Sequence, residues 1–279
     1  MPTPGERRTG RGTGTRSARA RLAALGPEAL ALLDHLGAVR FLSPGQAQAL
    51  APGRAGRDLR ALAAVGLVEA VPYRRTPTAP LERIATLTPA GARAAAARAW
   101  HAAGGPVDEA VRHARGAARA DATSLLFLSH ALALADLYVA VRERTGAGFS
   151  WRSGPGARVA YRSLLAPDGR GLVVPDAVVA PADLPAEASA LALGGVAIEV
   201  DRGTMGMRSI DAKLLRYREL VADRGRFGPV LFVAADPHRR ERLRERLDRA
   251  GLVGDALDLE GAARRLVEAI AASPGADGG

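Results

Sequence analysis

The residues in this chain best equipped for chemistry are acidic, and a single lysine follows them. Asp176 comes after a proline, Glu199 and Asp201 sit two apart in Glu199-Val200-Asp201, and Lys213 follows twelve residues later. Lys213 is the only lysine among 39 basic residues, the other thirty-eight being arginines. Arginine supplies a fixed positive charge, whereas lysine carries a compact ammonium that burial can push towards neutrality. Two or three carboxylates and a lysine suit a divalent cation and a phosphodiester. Such an ion polarises the phosphate and acidifies a bound water, while the lysine holds the attacking water or the developing negative charge. On this reading Asp176, Glu199 and Asp201 are candidate ligands for Mg²⁺ or Mn²⁺, both of which favour oxygen donors. Lys213 joins them as the fourth catalytic candidate.

Several other chemistries are excluded. With no cysteine there is no disulfide, no thiolate zinc site and no cysteine nucleophile. Neither a Gly-x-Ser-x-Gly elbow nor a phosphate loop ending in Gly-Lys-Ser/Thr occurs in the sequence. The five histidines, His35, His101, His113, His130 and His238, are too scattered in sequence to suggest a histidine-bound metal with a nicking tyrosine. Tyr217 falls four residues after Lys213, on the same helical face, so it serves either the site or the core.

A net charge of +10 points to a polyanionic partner, nucleic acid before membrane. Aromatic residues make up only 4% of the chain, which leaves little surface for stacking single-stranded bases. No run reaches the ~18 to 20 apolar residues of a membrane helix, so a soluble, cytoplasmic protein is expected. Residues 1–24 hold Arg7, Arg8, Arg11, Arg16, Arg19 and Arg21 with one acid, Glu6, and read as a disordered basic arm. The Gly-rich end, 273–279, reads as a disordered tail.

Residues 25–98 carry the element order of a winged helix-turn-helix. Leu30, Leu33, Leu36 and Val39 recur at helical spacing after Pro27. Ser43-Pro44 opens a second, short helix, and a third runs through Leu59, Leu62 and Val65 to Gly66. That third helix presents Arg54, Arg57 and Arg60 away from its leucines, as a recognition helix would. Two strands, 67–71 and 84–87, flank a Pro-rich loop with Tyr73, Arg74 and Arg75, the expected basic wing over phosphates.

A linker helix is expected over 99–120. From 121 to 272 the order becomes helix, three strands, helix, strand, that of a restriction-endonuclease-like αβββαβ domain, with strands at 149–151, 172–179 and 196–200. The fold class is therefore α/β (α+β) with two domains. That fold places an acid at its second strand and an acid-x-lysine at its third. Here position 201 is aspartate, and Lys213 would have to reach back from the following helix. The alternation of a strand puts Glu199 and Asp201 on one face.

At a finer level the chain resembles the replication-relaxation family of plasmids and integrative elements in Gram-positive bacteria. The likeness rests on the winged-helix start, His130-Ala131-Leu132 with Asp136, Trp151-Arg152, Pro175-Asp176, and Glu199-Val200-Asp201-Arg202-Gly203-Thr204 followed by Lys213 and Tyr217. The family pattern has an acid after Trp-Arg-Ser, where this chain has Gly154. The resemblance implies work on plasmid DNA in replication, relaxation or mobilisation. Three functions fit the residues: a DNA-binding protein whose nuclease-like site is degenerate, an active metal-dependent nickase or endonuclease, and a winged-helix transcription regulator. The expected partners are double-stranded DNA and plasmid replication or transfer proteins. A homodimer would suit paired half-sites, although no apolar heptad marks one.

Overall fold

The computed structural model describes residues 22–102, 125–146, 148–182, 195–225 and 228–272. Nearly all of the expected basic arm, most of the linker helix (103–120) and the whole tail lie outside them. Leu22, at the end of that arm, packs against the core.

The protein is of mixed α/β class. The first elements are α1 (Pro27–Val39), β1 (Phe41–Leu42), α2 (Pro44–Leu50), α3 (Ala55–Ala64), β2 (Val68–Tyr73), β3 (Glu82–Leu87) and α4 (Pro89–Ala102). Proline starts α1 and α2 where its missing N–H costs nothing. Ser43 and Gln46 close a reciprocal capping box on α2. The strands form a small antiparallel sheet in the order β1-β3-β2. Gly91 lets α4 sit on the start of β2, since a Cβ there would lie 1.9 Å from the Leu67 carbonyl oxygen. The buried stripe of α1 is Ala29, Leu32, Leu33, Leu36 and Val39, with Leu30 only half-buried. The first residues of the expected linker helix are the last turn of α4.

Next come α5 (Leu125–Thr145), β4 (Phe149–Ser153), a 3₁₀ turn (Gly154–Ala157), β5 (Val159–Arg162), β6 (Arg170–Val173), β7 (Ala177–Pro181), β8 (Val196–Val200) and α6 (Met207–Arg224). The chain continues with β9 (Val230–Val233), α7 (Pro237–Ala250), β10 (Gly254–Leu257) and α8 (Leu259–Ala271), a helix beyond those expected. Five strands form one sheet in the order β10-β9-β8-β7-β4, antiparallel from β4 to β8 and parallel from β8 to β10. The single strand expected over 172–179 is in fact two. Pro175, which has no N–H for a ladder, separates β6, paired only with β5, from β7 in the large sheet.

The two faces of the large sheet are filled differently. Ala177, Val179, Val196 and Ile198 share a buried cluster with α5 and α8, whereas Val178, Ala180 and Ala197 pack with Ile210, Leu214, Tyr217 and Leu220 of α6 and with α7. Each valine, leucine or isoleucine among them contributes about 1.5–3 kcal/mol when fully buried. The first cluster runs on without a break into α1, α2 and α4. Polar bonds reinforce that junction. The Gln46 amide donates to the Leu132 carbonyl at 2.9 Å and to Asp136 at 2.6 Å, the Ser153 hydroxyl donates to the Ala38 carbonyl at 2.5 Å, and His35 and the Tyr138 hydroxyl share a hydrogen bond of 2.7 Å.

Burial, and then the charge of Arg142, lowers the His35 imidazole to about 4 against the opposing pull of Asp34. The unfolded chain takes up this proton near the ordinary histidine value of about 6.5. Between those two values the unfolded state binds more protons, so stability falls as pH drops. From about pH 7 to about pH 5 the part due to His35 is roughly 2 kcal/mol. Urea unfolding at both pH values should show that loss in wild type and a smaller one in His35→Gln; equal losses would refute the assignment.

Candidate functional site

The site is built where β7 and β8 end beside α6. The Asp176 N–H donates to the Ile198 carbonyl at 3.0 Å, carrying the β7–β8 ladder past the start of β7. Its carboxylate accepts the Val200 N–H at 2.8 Å, next to Glu199. Two acids thus meet at one end of the sheet. Glu199 is buried, and both of its oxygens are taken by α6, whose i, i+4 spacing stacks Lys213 and Tyr217 on one face. The Lys213 ammonium donates to Oε2, and the Tyr217 hydroxyl donates to Oε1 at 2.6 Å. Both roles foreseen for Tyr217 hold at once, because its ring is fully buried while its hydroxyl serves Glu199.

The remaining member is His130, near the start of α5, with Nε2 at 3.2 Å from Asp176 Oδ1. The sequence marked His130 only as part of the family likeness and hid its role, because its partner is a carboxylate 46 residues away (176 − 130) and not another histidine. The hydrogen bond to Asp176 raises the His130 imidazole above its ordinary value. For Asp176, burial pushes upward, but the His130 hydrogen bond and charge, the Lys213 charge and the Val200 N–H outweigh it and hold the carboxyl below its usual range. Glu199 goes the other way. Burial first, and then the Asp176 charge, lifts it to about 7, which Lys213 and Tyr217 only partly oppose. The same burial and the Glu199 charge push the Tyr217 phenol well above its ordinary value. Neighbouring carboxyls pushed apart in this way can take different roles, one fixed as an anion and one able to carry a proton near neutral pH.

Lys213 keeps 20% of its side chain exposed. It borders an open depression of about 440 Å³ lined also by Val173, Val174, Met205, Ser209, Ala212 and Arg216. An anion entering there meets Lys213 and Arg216 first.

Asp201 stands apart from this group. Strand alternation does put it on the Glu199 side, but β8 has ended, and the buried Arg239 of α7 takes both of its oxygens. Arg239 Nε lies 2.5 Å from Oδ2 and Nη2 lies 3.2 Å from Oδ1, while the Gly203 N–H donates to Oδ1 at 2.9 Å. Gly203 has a φ of 76°, so the carboxylate organises a turn that favours glycine. Arg202 on that turn donates to Ser129, the neighbour of His130. Among the described residues, no three His, Asp or Glu side chains form a ready metal cage. Of the expected set, the structure brings Asp176, Glu199 and Lys213 together, with Tyr217 and His130 beside them, and pairs Asp201 with Arg239.

The DNA-contact candidates lie on the N-terminal elements. Arg57 and Arg60 are exposed on α3, and Arg74 and Arg75 on the β2–β3 connection. Arg54, just before α3, pairs with Glu28 at 3.0 Å. Tyr73 is a correction. Only 5% exposed, it packs with Phe41, Ile84, Leu128 and Leu132, so its ring belongs to the core and not to an exposed wing.

Fold and site together define a mixed α/β protein with an acid pair, one buried and one half-buried, answered by lysine, tyrosine and histidine, at one end of its central sheet. The chain belongs to the replication-relaxation family, whose profile matches residues 33–231. The match takes in His130, Asp176, Glu199, Lys213 and Tyr217 and stops before Arg239. No curated protein and no solved structure matches the chain.

Removing Arg239 strands a buried carboxylate, so Arg239→Ala should cost about 3–5 kcal/mol. Lys213→Ala should cost less, since the Glu199 it leaves behind can neutralise itself with a proton near pH 7. Thermal and urea unfolding of the two variants checks the order; an Arg239→Ala protein as stable as wild type would return Asp201 to the functional set.

Proposed function

We propose that this protein binds duplex DNA and cuts or nicks it with a divalent cation, in the replication, relaxation or mobilisation of a plasmid or integrative element. The observation that carries the reading is the convergence of Asp176, Glu199 and Lys213 from two strand ends and a helix. The αβββαβ order of α5, β4, β7, β8, α6 and β9 supports a restriction-endonuclease-like domain, in which a lysine from the helix stands in for the usual one on the strand. Family membership supports the DNA context.

The donor set suits Mg²⁺ or Mn²⁺. Both acids are oxygen donors, and their mutual repulsion helps lift Glu199 to about 7, a cost that a cation between them would relieve. Mg²⁺ typically uses one or two carboxylates and completes its shell with water and phosphate oxygens. Bound at Asp176 and Glu199, it would polarise the scissile phosphate and lower the pKa of a water. Lys213, already at the lip of the depression, would hold the negative charge that builds on the phosphate. His130 keeps Asp176 ionised and oriented, which makes it a positioning residue.

For the N-terminal elements we favour a winged helix-turn-helix. Three helices beside a three-stranded antiparallel sheet support it, with α3 offering Arg57 and Arg60 to a groove and Arg74 and Arg75 to the backbone. A second reading, binding without cleavage, has its own support. Every oxygen of Asp176 and Glu199 already has a protein partner, as in a purely structural network.

Supercoiled plasmid with Mg²⁺ separates the two readings. Wild type should relax or linearise it, while Asp176→Ala and Glu199→Ala should lose that activity and keep duplex affinity within about threefold, because phosphate contacts elsewhere dominate binding. Intact plasmid in every sample would favour the binding-only reading, and cleavage surviving in either variant would refute the site. The double reversal Arg57→Glu and Arg60→Glu should weaken duplex binding and reduce the slope of log affinity against log salt by roughly 2. An unchanged slope would move recognition away from α3.

A further inference from the structure

The β5–β6 hairpin was not expected as a hairpin, and only Val173 at its base borders the depression described above. Its tip carries two adjacent leucines, Leu164 at 90% and Leu165 at 66% exposure. The loop is firmly built. The Ser163 N–H donates to the Gly169 carbonyl at 3.1 Å, and the buried Ser163 hydroxyl accepts the Leu165 and Ala166 N–H groups at 3.2 and 3.0 Å. Glu219 of α6 then fastens the loop from below. Its carboxylate accepts the Ser163 hydroxyl at 3.0 Å, the Tyr161 hydroxyl at 2.9 Å and the Leu165 N–H at 3.3 Å. Asp223 accepts the Arg162 N–H at 3.1 Å, one turn further along. The Tyr161 ring can reach Glu219 because it lies over Gly171, where a Cβ would come within 2.1 Å of it.

Two leucines held rigidly in solvent are an interaction element, and the surrounding charge indicates the partner. Arg158, Arg162, Arg170 and Arg216 are exposed around the hairpin and form no ion pair among the described residues. The acids here, Glu219, Asp223 and Asp168, keep their charge but are outnumbered by these arginines and by Arg224, which pairs with Asp223 at 3.4 Å, while Asp168 in the tip accepts the Arg170 N–H at 3.1 Å. Leu172, Val174 and Met205 are exposed as well, and the last two line the depression beside Lys213.

We infer that Leu164 and Leu165 form a wedge that enters duplex DNA between base pairs and unstacks them beside the acid cluster. Apolar side chains flanked by basic ones distort a duplex in this way elsewhere. Glu219 stands six residues after Lys213 on α6, about 9 Å along the helix, so the unstacked step would lie only a few base pairs from the cut. The inference rests on the reading of the chain as a duplex-binding protein.

The test uses the full chain without added metal and a duplex carrying 2-aminopurine, whose fluorescence rises on unstacking. Wild type should produce that rise. Leu164→Ser/Leu165→Ser alters only exposed side chains, and it should lose the rise while keeping the same salt slope and an affinity within about tenfold. An equal rise in the variant, or wild-type binding with no rise, would overturn the wedge and leave the proposed function standing. Absence of duplex binding by wild type would overturn both. Sedimentation of both proteins supplies the remaining arm: a self-associating wild type turned monomeric by the substitutions would assign the leucines to a contact between copies and overturn the wedge.

Discussion

A buried carboxylate needs a counter-charge or a proton, and this structure meets that requirement at Glu199 and Asp201, with the half-buried Asp176 paired beside them at one end of the central sheet. Asp176, Glu199 and Asp201 arrive on or beside β7 and β8. Each is answered from a different helix: Asp176 by His130 of α5, Glu199 by Lys213 of α6 and Asp201 by Arg239 of α7. Leaving Asp201 unpaired would cost several kcal/mol, whereas Glu199 can take up a proton near neutral pH instead. The apolar faces of α5, α6 and α7 bring these helices onto the sheet, and the three pairs fix where along it they stop.

The kind of cation used in each pair separates structure from chemistry. Arginine gives Asp201 a planar fork that occupies both oxygens and never loses its charge, which suits a permanent turn. Lysine gives Glu199 a single point of contact and leaves Oε1 to Tyr217. Glu199 therefore stays able to exchange its proton near neutral pH, and Lys213 remains beside open solvent. In a chain that uses arginine almost everywhere, a compact charge at this one position is what an incoming phosphate could engage without breaking the fold.

The sequence disclosed what is local. Helical spacing, proline and serine starts and alternating strands located most elements, and the acids and lysine drew notice by type alone. What it hid is long-range. Nothing in the spacing says which of thirty-eight arginines folds onto Asp201, and the answer lies thirty-eight residues away. His130 was masked in the same way, as was the burial of Tyr73, whose neighbours Leu128 and Leu132 come from another part of the chain. The hairpin of β5 and β6 escaped because Pro175 divides one apolar run into strands of different sheets, and an apolar run does not reveal its pairing partner.

Helix α5 connects the two halves of the molecule more directly than a linker could. Leu128 and Leu132 pack against Phe41, Tyr73 and Ile84 of the N-terminal elements, and the Leu132 carbonyl accepts the Gln46 amide. Between those two leucines, within one turn, lies His130, facing Asp176. The residues that receive the N-terminal elements and the residue that orients a site acid thus share one rigid stretch of backbone. Their separation is set by helix geometry, with a rise of about 1.5 Å per residue. The N-terminal elements and His130 are thereby held on neighbouring turns of one helix by packed side chains. The position of the N-terminal elements on α5 and the geometry of the acid pair are for that reason a single mechanical problem.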